Sequence, residues 1–216
     1  MVSSPDAVPT TTTLSAENLD KRFTGPSLFS ALSFSAARGL VAVSGRNGSG
    51  KTTLLKILAG LVRPSSGRVS LSRGGAALTG RERRLALGWA GPDLAFYGEL
   101  TGEENLRFFR RANGLPAESS ELKRRLRDAG LGEDAIGRRV EEYSTGMVQR
   151  LRIAFARLFD PEILLLDEPT AGLDAQGREM VRRTVEESRR EGIVVVASND
   201  ERDFVDPDQR IALGER

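Results

Sequence analysis

The chain has 216 residues, with 32 basic and 30 acidic side chains and a formal net charge of +2; its sequence pI of about 9.3 reflects a slight excess of arginine, and bulk charge gives no support to nucleic-acid binding. Cysteine and histidine are both absent, which excludes disulfides, CxxC redox pairs, structural zinc, imidazole metal sites, cysteine nucleophiles and every Ser-His-Asp triad. Any catalysis falls to carboxylates, Lys, Arg, Ser, Thr, backbone amides or a bound cation, and no apolar run approaches the roughly 18 residues of a membrane span.

Residues 1–13 (MVSSPDAVPTTTT) are polar and contain proline, with neither the basic start nor the apolar stretch of a secretory signal. They are expected to form a disordered tail on a cytosolic protein, with the ordered domain over 14–216. Residues 14–19 and 28–36 alternate apolar and polar side chains, the pattern of half-buried antiparallel strands. A compact apolar run at 40–44 leads into a glycine-rich stretch and then a helical pattern at 53–61. Arg63-Pro64-Ser65-Ser66-Gly67 is a turn by composition, and residues 68–72 resume as a strand. The segment at roughly 101–147 is charged and helical, and is expected to be an inserted lobe. Beyond it, Val148, Leu151, Ile153, Ala154, Phe155 and Leu158 recur at helical spacing. A strand at 163–166, a helix around Met180, Val181, Thr184 and Val185, and a strand at 193–197 follow. Near-continuous apolar strands alternating with helices predict an α/β fold with a mainly parallel core sheet, preceded by an N-terminal antiparallel β subdomain.

Gly45-Arg46-Asn47-Gly48-Ser49-Gly50-Lys51-Thr52 matches GxxxxGK[ST] in full and lies between a predicted strand and helix, as a phosphate-binding P-loop requires. Glycines let the backbone turn its N–H groups inward, and the helix N-terminus adds partial positive charge. Lys51 is expected to bridge terminal phosphates and Thr52 to ligate Mg²⁺. The candidate nucleotide-binding residues are therefore Gly45, Arg46, Asn47, Gly48, Ser49, Gly50, Lys51, Thr52 and Thr53.

Ile163-Leu164-Leu165-Leu166-Asp167-Glu168 is an apolar strand ending in two acids, at the sheet edge where ligands of parallel α/β proteins sit. Asp167 is the candidate Mg²⁺ ligand. Glu168 is the candidate general base, since no histidine competes for that role.

These residues resemble the nucleotide-binding domain of ABC transporters, over nearly the whole chain from residue 14 to 213. Tyr143-Ser144-Thr145-Gly146-Met147-Val148-Gln149-Arg150-Leu151 is similar to the family's LSGGQ-type signature, with Thr145 in place of the first glycine. The resemblance implies a P-loop NTPase that binds ATP and Mg²⁺ and pairs head to tail. Ser144 and Gly146 of one subunit would then cap the γ-phosphate held by Lys51 of the other. Asp174, in Ala171-Gly172-Leu173-Asp174, would communicate across that pair. Phe23 lies where the family stacks an aromatic ring on adenine, for which a π-face suffices.

Two family residues are missing. No glutamine follows the strand expected at 85–91, where the chain continues Pro92-Asp93-Leu94, and Asn199 stands where the family has a histidine against the γ-phosphate. An asparagine amide donates a hydrogen bond but carries no proton. A lost hydrogen bond to a charged group is worth roughly 1.5–3 kcal/mol, or about 10- to 150-fold in rate, so an attenuated ATPase is expected. Leu94, Phe96, Tyr97 and Leu100, with the stretch at 101–109, match the family region facing separate transmembrane permease subunits. That implies a location peripheral to the cytoplasmic face of the cell membrane. The chain's brevity and the stretch Glu104-Asn105-Leu106-Arg107-Phe108-Phe109 are compatible with short exporters, including those of haem in cytochrome c maturation. Alternatives are a regulatory ATP-binding module without turnover and a soluble ATPase acting on nucleic acid or ribosome. A single nucleotide site and the absence of a basic excess argue against the latter.

Overall fold

The computed structural model describes residues 11–214. The expected tail falls mostly outside them, but its last two residues belong to strand β1 (Thr12–Lys21). Within β1, Thr12, Leu14 and Ala16 are buried at alternate positions; a bulge at Asn18, with φ of 48°, then shifts the register so that Leu19 returns to the core. β2 (Phe29–Ala36) pairs antiparallel with β1, and β3 (Gly39–Gly45) opens the second sheet. Helix α1 (Lys51–Ala59) starts two residues before its expected position and is stopped by Gly60 at φ 80°. β4 (Ser66–Arg73) and β5 (Ala76–Ala77) complete an antiparallel sheet of order β2-β1-β4-β5.

Helix α2 (Gly80–Ala86) precedes β6 (Leu87–Ala90), so the strand expected from Leu85 begins only at Leu87. Residues 81–86 are good helix formers with no β-branched side chain, and Ala86 is buried from the helix. α3 (Gly102–Ala112) starts in a Thr101–Glu104 capping box; α4 (Ser119–Asp128), α5 (Glu133–Ile136) and a 3₁₀ turn at Val140–Glu142 follow. Leu106, Leu122, Leu126, Ile136 and Val140 pack there with Leu151, Ala154 and Leu158 around α6 (Thr145–Ala156).

β7 (Ile163–Asp167), α7 (Ala175–Glu191), β8 (Ile193–Ala197) and β9 (Gln209–Leu213) complete a second sheet of order β6-β7-β8-β3-β9 with every pair parallel. Its central strands are apolar without interruption because both faces are covered. Val41, Val43, Leu165 and Val195 face Leu54, Leu55 and Leu58 of α1 and the antiparallel sheet, while Leu40, Ala42, Leu164, Leu166 and Val194 face Ile153 of α6 and Met180 and Val181 of α7. Each Val, Leu, Ile or Met among them contributes about 1.5–3 kcal/mol on burial. Among the described residues no helix is long and apolar enough to cross a membrane.

Glu162, just before β7, joins the two sheets: its carboxylate accepts from Thr12 of β1 and from Arg73 of β4, whose Nε lies 3.1 Å away. Burial alone would push this carboxyl up, but the Arg73 guanidinium and the Thr12 hydroxyl hold it below the ordinary glutamate value. A depressed folded pKa stabilises above the unfolded pKa and loses that contribution as pH falls through the folded one. Glu162→Gln is therefore expected to lower the melting temperature at pH 7 by a few degrees, with the difference from the unmutated chain shrinking in calorimetry as the pH falls below the ordinary glutamate value of 4.5.

Candidate functional site

Strand order brings the site together. β7, β8 and β3 are neighbours, so the segments leaving their C-terminal ends, at Asp167, Ala197 and Gly45, emerge side by side. Gly45 is at φ 150°, and a Cβ there would strike the Leu213 carbonyl and the Ser49 hydroxyl, so only glycine turns the chain into the loop. Gly50, also left-handed, precedes α1 with no side-chain cap and no acid in the first turn. The first N–H groups of α1 thus meet no competing side-chain acceptor, the electrostatics a phosphate needs.

Lys51 is 6% exposed. Its ammonium donates to the Gly45 carbonyl at 2.8 Å and to Asn199 Oδ1, and stands 3.8 Å from Glu168 Oε1. Asn199 Nδ2 in turn donates to Asn47 Oδ1, so one amide spans from Lys51 to the glycine-rich loop. The ammonium's third proton has only a long contact, 3.5 Å to the Arg46 carbonyl, which an anionic oxygen between Lys51 and Glu168 would replace.

Asp167 is 2% exposed, and among the described residues neither of its carboxylate oxygens has a hydrogen-bond partner. Burial pushes its carboxyl above the usual range, an effect that the nearby Thr52 hydroxyl opposes and the Glu168 charge reinforces. A buried carboxylate without a partner is costly unless a cation meets it. One carboxylate and one hydroxyl are hard oxygen donors suited to Mg²⁺, which takes its remaining ligands from water and phosphate. The residues present therefore fit that ion.

Glu168 adopts φ 47°, uncommon for a residue with a side chain. Its amide donates to the Ala197 carbonyl at 2.8 Å, and its Oε2 lies 3.3 Å from the Ser198 hydroxyl. Gln149 of α6 donates to the carbonyls of Pro169 at 3.0 Å and Glu168 at 3.4 Å. Arg152, one turn on, donates to Gln149 Oε1 and to the carbonyls of Pro92 and Leu94. The loop that lacks the expected glutamine is thus wired to Glu168 through α6, and its Asp93 pairs with Lys56 of α1 at 2.9 Å. Gln149 was visible within the signature-like stretch, but no spacing in the sequence marks it as the support of a loop some twenty residues away.

Gly45, Asn47, Lys51, Glu168 and Asn199 are joined in this group, with Thr52 beside Asp167. Ser144, Gly146 and Asp174 form a second one. Ser144 caps α6, accepting from the Met147 amide at 3.3 Å; a Cβ on Gly146 would lie 3.2 Å from the Gly172 carbonyl. Asp174 caps α7 through the Gly177 amide at 2.8 Å and pairs with Arg150 at 2.8 Å. Phe23 stands apart on the turn after β1, 61% exposed, with Lys21 Nζ 4.4 Å from its ring centroid.

Residues 29–171 match the family profile described as ABC transporter. A daunorubicin resistance ATP-binding protein, DrrA3 of Streptomyces coeruleorubidus, is 36% identical over 77% of this chain and 54% of its own length. The linearmycin resistance ATP-binding protein LnrL of Bacillus subtilis is 32% identical over 93% of this chain and 68% of its own. The chain therefore spans about half to two thirds of the length of these two curated relatives. Among solved structures, an ATP-binding subunit of an ABC transporter superposes with a TM-score of 0.75 at 28% identity, covering 93% of this chain and 85% of that one. A dimeric ATP-binding cassette in a post-hydrolysis state bound to ADP and Pi gives a TM-score of 0.79 at 23% identity, over 93% and 94% of the two chains, which shows a shared fold.

Asp167 yields a test in the nucleotide-free protein. Its raised folded pKa means that the charged form costs stability once pH exceeds the unfolded value of 3.8, and that the cost fades as pH falls below it. Asp167→Asn is expected to raise the melting temperature at pH 7 without nucleotide or Mg²⁺, with the gain shrinking toward pH 4, and to weaken Mg²⁺-dependent nucleotide binding measured by calorimetry.

Proposed function

The chain belongs to the ABC transporter family, and on that premise we propose that it is an ATP-binding and ATP-hydrolysing subunit that energises transport through separate membrane subunits. The observation that carries this reading is the convergence of buried Lys51, the buried Asp167 carboxylate and Glu168 at one sheet edge. In it, the residues 45–53 wrap the phosphates, with Lys51 on the terminal pair, and Phe23 stacks on adenine. Thr52 and Asp167 would hold Mg²⁺, which would supply positive charge against the phosphates. Glu168 accepts a proton from the water whose oxygen attacks the γ-phosphorus, the bond to the bridging oxygen breaks, and ADP and phosphate leave. Asn199, already at Lys51, turns its amide N–H to the γ-phosphate.

Two copies pair so that Ser144 and Gly146 of one approach the phosphate on Lys51 of the other, with Asp174 at the junction; the dimeric cassette of the same fold supports this arrangement. The face bearing Tyr97 and Phe108, 49% and 45% exposed and 5.2 Å apart between ring centroids, is the docking surface for the membrane subunit. The protein then works peripherally at the cytoplasmic face of the membrane. The names of the relatives support export of a small-molecule drug. Haem export rests on the stretch at 104–109, and the two separate by whether expression with the cognate membrane subunits protects cells from anthracyclines or restores cytochrome c.

Turnover in this reading is held down by Asn199, which cannot shuttle a proton. Glu168→Gln is expected to cut phosphate release about 100-fold or more while ATP binding persists, and Asn199→His to raise it about tenfold. Equal rates for Glu168→Gln and the unmutated chain would leave the regulatory reading standing.

A further inference from the structure

Resting on the hydrolytic reading above, we propose that Asp203 is the positioning residue that holds Glu168 in place, acting through two buried hydroxyls. Asp203 closes the 3₁₀ turn Glu201–Asp203 that follows β8. Both of its carboxylate oxygens lie 2.9 Å from Thr170 Oγ1, and its Oδ2 lies 2.6 Å from Ser198 Oγ. Thr170 is 7% and Ser198 1% exposed, so neither hydroxyl has free access to water as an alternative partner. Thr170 is two residues beyond Glu168, and Ser198 immediately precedes Asn199. One carboxylate therefore ties together the two segments that carry the reacting side chains.

The direction of each bond is set by its other neighbours. Arg178 Nη1 donates to Thr170 Oγ1 at 3.2 Å, and the Asp200 amide donates to Ser198 Oγ at 3.0 Å. Each hydroxyl oxygen is thus an acceptor already, and its single proton is left for a carboxylate. Thr170 gives its proton to Asp203. Ser198 has two carboxylates in reach, Asp203 at 2.6 Å and Glu168 at 3.3 Å, and the shorter contact takes the proton. Glu168 Oε2 is then left to draw its hydrogen bond from elsewhere, which for a water-activating base is the attacking water.

The clamp also explains how Glu168 keeps a left-handed backbone. A non-glycine residue at φ 47° is strained and persists only where its surroundings over-determine it. Here the Glu168 amide is fixed to Ala197 on one side, and Thr170 is fixed to Asp203 on the other.

The test uses the full chain in a steady-state ATPase assay, with nucleotide affinity measured separately by titration of a fluorescent ATP analogue. Asp203→Ala and Thr170→Val, the second keeping the side-chain shape without the hydroxyl, are expected to lower kcat about ten- to hundredfold with nucleotide affinity unchanged. Thr170→Ser, which restores the hydroxyl, is expected to recover most of the rate. The positioning role is overturned if Thr170→Val turns over like the unmutated chain, if Thr170→Ser is as impaired as Thr170→Val, or if kcat and nucleotide affinity fall together. An unmutated chain that binds ATP and releases no phosphate overturns the hydrolytic reading, and the positioning role with it.

Discussion

A buried lysine ammonium is the constraint around which the rest of this molecule is arranged. Lys51 sits at the first position of α1 with almost no solvent, and an ammonium so placed must find oxygen acceptors on every side. It finds them on three different strand ends: the Gly45 carbonyl after β3, Glu168 after β7 and Asn199 after β8. That requires β7, β8 and β3 to be adjacent and parallel, with their C-terminal ends level, which is how Asp167, Ala197 and Val43 lie in register. The apolar strand interiors provide the rigidity, because every side chain of β7 and β8 is buried on one face or the other.

Helix α6 is the second organising element. It contributes Ile153 and Ala156 to the core beneath the parallel sheet, and Leu151 and Ala154 to the core of the helical segment. Its polar face carries Gln149 to the Glu168 loop, Arg150 to Asp174 and Arg152 to the loop at residues 92–94. Gln149 thus ties the helical segment to the Glu168 loop through hydrogen bonds of 3.0 and 3.4 Å.

Much of the fold was legible in the residues. The GxxxxGK[ST] stretch, the apolar runs at 40–44, 163–166 and 193–197, and the acids at the end of β7 announce a parallel sheet with an anion-binding loop, since few other chemistries use that spacing. The boundaries were less legible. Leu85 and Ala86 read as strand yet end α2, and Thr12 read as tail yet bonds Glu162 across the sheet interface. The first is local, since residues 81–86 are good helix formers; for Thr12 the deciding contact comes from a distant part of the chain, which local composition does not encode.

For the candidate site, the sequence by itself determined the chemical inventory: an ammonium, two acids, hydroxyls and an amide, with no imidazole and no thiol. The resemblance to the family also implies that Asn199 takes the place of a histidine. Only the tertiary structure decided that Asn199 reaches both Lys51 and Asn47, that Asp167 is buried with no hydrogen-bond partner among the described residues, and that Asp203 gathers Thr170 and Ser198 behind Glu168. The physical reason is that side-chain identity follows from the chain's covalent order, whereas hydrogen-bond partners separated by tens to more than a hundred residues are chosen by strand order and register. Those emerge only when the buried faces of the sheet are packed.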